Sequence, residues 1–142
     1  MARIAHVGAV MKIPFICLAL VLLIPYLLAA YGGYYRKQAF GSMDNSNPRA
    51  QAAQLEGYGA RIYASQQNAW EAATLFSASV LAAYATGVTG YPIIVPCLLF
   101  LLFRIVHPVA YLRGWSRLRS AVSTAGLVCC TALLAGAIVA VR

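Results

Sequence analysis

Apolar positions in this chain fall into four long runs divided by short polar stretches, with no period-2 alternation of the kind that marks strands. The first run covers about residues 12–35, with Pro14 near its first turn, where a missing N–H costs little, and Pro25 inside, where a kink is expected. Gly32-Gly33 should loosen its far end. Residues 36–56 contain Gly41-Ser-Met-Asp-Asn-Ser-Asn-Pro48, a cluster of turn formers that cannot continue a helix and makes the one sizeable loop. The second run, 55–86, has two unlike halves: polar Arg61-Ile-Tyr-Ala-Ser-Gln-Gln-Asn-Ala-Trp-Glu71, then an apolar stretch to Ala85. The third run, 91–112, and the fourth, 118–141, are joined by Arg113-Gly-Trp-Ser-Arg117, in which Gly114 suits a helix C-terminus and Trp115 a membrane interface. A spanning helix takes about 20 residues. Four spans therefore use nearly the whole length, and the pattern predicts an all-α integral membrane four-helix bundle in a single domain, residues 1–142.

Composition strengthens this picture. The chain is 62% hydrophobic and only 10% charged, which excludes an ordinary soluble domain. Its formal charge of +8, from 11 Lys and Arg against 3 acids, would suggest nucleic acid in a soluble protein. Here it reports topology. Arg36, Lys37, Arg49 and Arg61 form one basic segment and Arg104, Arg113, Arg117 and Arg119 another, while the Thr86–Tyr91 connection has none. The positive-inside rule puts the two basic loops in the cytoplasm and both termini outside, with Arg3 and Lys12 as basic residues on the other side. A bacterial inner membrane is the expected location. The first run is long enough to span and is followed by Tyr31/Tyr34/Tyr35 and Arg36-Lys37, so it reads as a membrane helix and not a cleaved signal.

Cys17, Cys97, Cys129 and Cys130 sit in apolar runs without ligand spacing and read as packing residues; no metal site is expected. Small residues at four-residue spacing, such as Ala73/Ser77 and Ala132/Gly136/Ala140, permit close helix approach within a chain or between subunits.

Candidate chemistry gathers at one membrane face. Glu71 is the one acid in a membrane-embedded segment, where a carboxylate is costly without a partner or a wet cavity. At 100° per residue, Arg61, Asn68 and Glu71 share one arc of the second helix, and Arg104, His107 and Tyr111 share one of the third. Pro108 has no N–H for the Arg104 carbonyl and bends the helix there. Arg117, Arg119 and Ser120 open the fourth helix, where exposed N–H groups and cations favour an anion. Taken singly, each of these residues has a bland reading: Glu71 as a helix-holding ion pair, the arginines as snorkels to lipid phosphate, His107 as a structural hydrogen bonder. Together the basic groups exceed what one carboxylate neutralises, which points to an anionic ligand.

Three segments carry a family resemblance: Tyr35-Arg-Lys-Gln-Ala-Phe40, Gln67-Asn-Ala-Trp-Glu71, and Arg104-Ile-Val-His-Pro-Val-Ala-Tyr-Leu112 followed by Arg119-Ser120. In order and spacing they resemble the MAPEG family, the membrane-associated proteins of eicosanoid and glutathione metabolism, in a bacterial-type form similar to microsomal glutathione transferase. Gln67 and Ser123 stand where better-known members carry a basic residue and a tyrosine. The resemblance implies a left-handed up-down four-helix subunit in a homotrimer, with glutathione as co-substrate held between neighbours on the cytoplasmic side. By position, Asn68 and Glu71 would contact its backbone and amine, Arg104, His107 and Tyr111 would line the site, and Arg119 and Ser120 would be the catalytic pair beside the sulfur. The implied activity is a transferase or peroxidase acting on lipophilic substrates from the bilayer. The alternative is a non-catalytic module that binds anionic lipid or serves a larger membrane complex.

Overall fold

The structure, a computed structural model, describes the backbone of residues 2–141 and side chains from residue 11 onward. Met1 and Arg142, the termini expected outside, do not belong to the described residues, nor does the Arg3 side chain. Every described element is helical: α1 (Ala2–Phe40), α2 (Pro48–Ala53), α3 (Gly57–Ala85), α4 (Tyr91–Leu112) and α5 (Ser116–Ala140).

Two differences from the sequence pattern have physical causes. First, α1 starts at Ala2, well before residue 12, and runs through Gly32-Gly33 to Phe40 without a break. Gly32 is a contact site: a Cβ there would lie 3.3 Å from Ile62 Cγ2 and from the Tyr63 ring, so the missing side chain lets α3 approach. Packing offsets the poor intrinsic helicity of two glycines. Second, the loop contains a short helix, α2, with Pro48 in its first turn, where its fixed φ favours helix entry.

Three helical segments are long and apolar enough to cross a membrane: Met11–Phe40 in α1, Tyr91–Leu112 and Ser116–Ala140. Of the four expected spans, three are thus long and apolar enough. At 29 residues α3 has the length, but its Arg61–Glu71 half lowers its hydropathy.

Consecutive long helices run antiparallel. Along α1 and α3, Phe15 meets Tyr84, Tyr26 meets Trp70 and Tyr31 meets Tyr58. Along α3 and α4, Phe76 stacks on Phe100 at 4.1 Å between ring centroids, with the rings nearly parallel at 4°. On α5, Gly126 faces the same Phe100 ring, and a Cβ there would sit 3.4 Å from it. The core around these rings takes in all four cysteines, buried and free. The α4–α5 connection turns at Gly114 (φ 72°), whose N–H donates to Tyr111 O at 3.1 Å while the Trp115 N–H donates to Ala110 O at 2.9 Å. That is a left-handed helix stop for which glycine is the suited residue.

The polar end is tied together by the 41–56 segment. Asp44 accepts from the Asn47 and Ser46 N–H groups at 3.0 and 2.8 Å, and these bonds hold its carboxyl below the usual carboxylate range. Arg36, only 6% exposed, donates from Nη1 to Pro48 O at 2.8 Å and so pins α2 to α1. Gly59 lies under Tyr35 and Leu55, where a Cβ would come within 2.8 Å of Tyr35 Cε1 and 3.0 Å of Leu55 Cβ. Gly59→Ala is therefore expected to destabilise the protein by about 1–3 kcal/mol through overpacking, read as a lower denaturation midpoint in detergent.

Candidate functional site

A column of basic and aromatic groups runs along α4 to the start of α5. Arg104 and His107 are buried, 5% and 3% exposed, at positions one turn apart on the inward face of α4. The Arg104 guanidinium donates from Nη1 to Asn68 Oδ1 of α3 at 3.1 Å and lies 5.7 Å from the Phe100 ring centroid. Its Nε and Nη2 are buried and have no hydrogen-bond partner among the described residues. Pro108 stays within a continuous α4 but cannot donate to the Arg104 carbonyl. Arg104, His107 and Pro108 share a crevice with Val21, Ile24 and Ala69 that is too narrow for a water-sized sphere.

Further along, the His107 ring meets Tyr111 edge-on at 5.6 Å, and the Arg119 guanidinium sits over the Tyr111 ring at 4.6 Å. A cation over an aromatic face is attracted by the ring quadrupole, which partly offsets its desolvation. Arg119 is half-buried, and Ser120 beside it is exposed. Arg61 joins the column from α3: its Nε donates to Leu112 O at 3.3 Å and its guanidinium lies 5.8 Å from the Tyr58 ring. The column thus holds Arg61, Arg104 and Arg119 and, among the described residues, no carboxylate.

Glu71 is elsewhere. It is exposed, and its Oε1 accepts from Gln67 Nε2 at 3.3 Å. The buried stripe of α3, through Ile62, Ser65, Ala69, Ala73, Phe76 and Val80, defines its inward direction. At 100° per residue, Asn68 falls at the edge of that stripe, whereas Glu71, about 60° further round, points nearly opposite to it. The arc that joins Arg61, Asn68 and Glu71 in the sequence is therefore divided. Arg61 and Asn68 turn to α4, and Glu71 turns to a groove.

That groove, of about 850 Å³, lies against α1, α2 and α3. Arg36, Arg49, Tyr63, Gln66, Gln67, Trp70 and Glu71 contribute to its walls, with alanines and Leu55 between them. The structure thus brings Asn68, Arg104, His107, Tyr111 and Arg119 into one column, places Glu71 apart, and leaves Ser120 exposed, about 100° round α5 from Arg119. Arg36, Arg49 and Trp70 are groove residues that the sequence pattern does not single out. Arg36 and Arg49 read there as topology signals, and only the fold of the 41–56 segment brings them beside α3. No group of three or more His, Cys, Asp or Glu side chains able to hold a metal occurs among the described residues.

Compared with known proteins, the chain matches the family model described as "MAPEG family" over residues 13–139. No curated protein and no solved structure matches it.

Proposed function

Because the chain belongs to the MAPEG family, we propose that this integral membrane protein is a glutathione-dependent transferase or peroxidase acting on small lipophilic electrophiles or hydroperoxides. The observation that carries the reading is the column ending in Arg119 over Tyr111, which holds no carboxylate among the described residues. A free thiol ionises near pH 8.5, and an opposite charge within about 4–6 Å lowers a pKa by about 1–3 units. A sulfur set beside Arg119 and accepting from the Ser120 hydroxyl then ionises at about pH 5.5–7.5, so a substantial fraction is thiolate at neutral pH.

The thiolate attacks the electrophilic atom of a substrate that arrives from the bilayer. In conjugation the new bond is sulfur to carbon and the leaving group departs with its electron pair. With a hydroperoxide the sulfur takes the terminal oxygen as the O–O bond breaks, the alkoxide takes a proton, and a second thiol condenses with the sulfenic acid to give a disulfide and water. The protein positions the thiol and stabilises its charge without a covalent nucleophile of its own.

Glu71 suits the amine of the same ligand, yet it opens onto the groove and not onto the column. That separation supports a site completed by a neighbouring chain, in a homotrimer of subunits whose α3 makes a fourth crossing. The basic loops between α1 and α3 and between α4 and α5 would then face the cytoplasm.

The test is a titration of purified protein with glutathione, following thiolate absorbance against pH. Saturable binding with a thiol pKa below that of free glutathione is expected; no saturable binding at millimolar glutathione would sink the enzyme reading.

A further inference from the structure

The outward face of α4 is apolar almost to its end and then meets a cation. Leu98, Leu102, Ile105 and Val109, each about half exposed, recur at spacings of four, three and four, and the exposed Arg113 continues them one turn on. At 100° per residue all five lie on the side away from the buried stripe through Ile93, Cys97, Phe100, Arg104 and His107. The apolar part, residues 98–109 (109 − 98 = 11 residues), is about 16 Å long, close to half of a hydrocarbon core of about 30 Å. It is therefore as long as the acyl layer of one leaflet. The membrane-crossing segment of α4 ends at Leu112, so Arg113 stands at headgroup level.

A second guanidinium meets it there. Arg61 of α3 donates from Nε to Leu112 O at 3.3 Å and so caps α4. That bond occupies one nitrogen. Nη1 and Nη2 of Arg61 have no hydrogen-bond partner among the described residues, and neither does the Arg113 guanidinium. Each cation rests against an aromatic ring, Arg61 at 5.8 Å from the Tyr58 centroid and Arg113 at 5.5 Å from that of Trp115. Tyrosine and tryptophan favour headgroup level, and stacking leaves the N–H edge of a guanidinium open. Two cations with free donors, bonded to no carboxylate among the described residues, stand over an apolar stripe one leaflet deep. They suit an amphiphile with an anionic head.

We propose that Arg61 and Arg113 hold the phosphate of an anionic phospholipid at the α4–α5 turn, with an acyl chain laid along residues 98–109. A zwitterionic headgroup brings its own ammonium up to the two guanidinium groups and loses part of the attraction, whereas an anionic headgroup keeps all of it. The lipid site faces outward, away from the Arg104 column, with which it shares only Arg61.

The experiment is calorimetric titration of the full-length protein in a non-ionic detergent with short-chain phosphatidylglycerol and with phosphatidylcholine of the same chains. A basic residue near an anionic headgroup contributes about 1 kcal/mol, a factor of about five. Wild-type protein should therefore prefer phosphatidylglycerol about ten- to thirtyfold. Arg113→Ala should narrow that preference about fivefold, and Arg61→Ala in the same background should erase what is left. Arg113→Ala decides the assignment by itself, because Arg113 is exposed and its loss breaks no hydrogen bond in the bundle. Lys37→Ala removes an equal charge from an exposed position on α1 and should leave the preference as it is. Equal affinities in wild-type protein, a preference that survives in Arg113→Ala, or one narrowed as much by Lys37→Ala overturns the site. Displacement of the lipid by millimolar inorganic phosphate, but not by chloride at equal ionic strength, overturns the choice of a lipid over a soluble phosphate. A smaller oligomer for Arg113→Ala in size-exclusion chromatography overturns it in favour of a second copy of the chain on this face.

Discussion

Arg119→Ala is expected to slow conjugation about 10²- to 10³-fold, the usual cost of removing one preorganised group that stabilises reacting charge. The guanidinium is held over Tyr111 at 4.6 Å, half-buried, so it is oriented before any ligand arrives. Its removal takes the cation from beside the sulfur, and the bound thiol's pKa should rise back toward about 8.5. The rate should therefore fall most at neutral pH and recover partly as the pH is raised, a shift that a purely structural role would not produce. Arg119→Lys keeps the charge but loses the planar stacking and the fork of donors, and is expected to fall between the two. Size-exclusion chromatography should show the same oligomer for all three proteins. A pH–rate profile for Arg119→Ala that overlays the wild-type profile would remove Arg119 from the site.

The second large effect is on stability. Asn68→Leu should destabilise the protein by about 2–3 kcal/mol, at the upper end for losing a hydrogen bond to a charged group. Asn68 Oδ1 is the one hydrogen-bond acceptor that the described residues offer the buried Arg104 guanidinium, whose Nε and Nη2 already lack partners. A buried cation stripped of its last partner is costly, and the membrane raises that cost. Replacing both groups with apolar ones, Asn68→Leu with Arg104→Met, should recover most of the loss, since the penalty lies in the orphaned charge and not in the missing bond. Chemical denaturation in detergent of the two single variants and the double variant measures this cycle. If Asn68 served only to touch a ligand, Asn68→Leu would keep its denaturation midpoint.

These expectations separate two residues that the sequence places together. Asn68 and Glu71 lie three positions apart, and by helical period they share an arc. In the folded chain one faces Arg104 and the other the groove. The column on α4 was more legible, because Arg104, His107 and Tyr111 repeat at spacings of three and four and their face is fixed by buried Ile93, Cys97 and Phe100 above them. Its continuation to Arg119 needed the tight turn at Gly114, which a glycine between two helical runs does announce. The groove was not legible at all. Arg36 and Arg49 are 13 positions apart (49 − 36) in a stretch of turn formers, and nothing local says that a short helix starting at Pro48 will carry Arg49 to the flank of α3.

The sequence by itself determined the helical class, the apolar segments that suit a membrane and the polar end where the candidate chemistry collects, because each depends on residues close together in the chain and on their transfer from water. The tertiary structure decided which edge of each polar stripe faces inward. Helical periodicity sets the angles between side chains on one helix, but a helix is free to rotate about its axis until its neighbours hold it. Here the Phe76–Phe100 stack, Gly126 beneath it and the close approach at Gly32 supply that hold, and with it the division between the Arg104 column and the Glu71 groove.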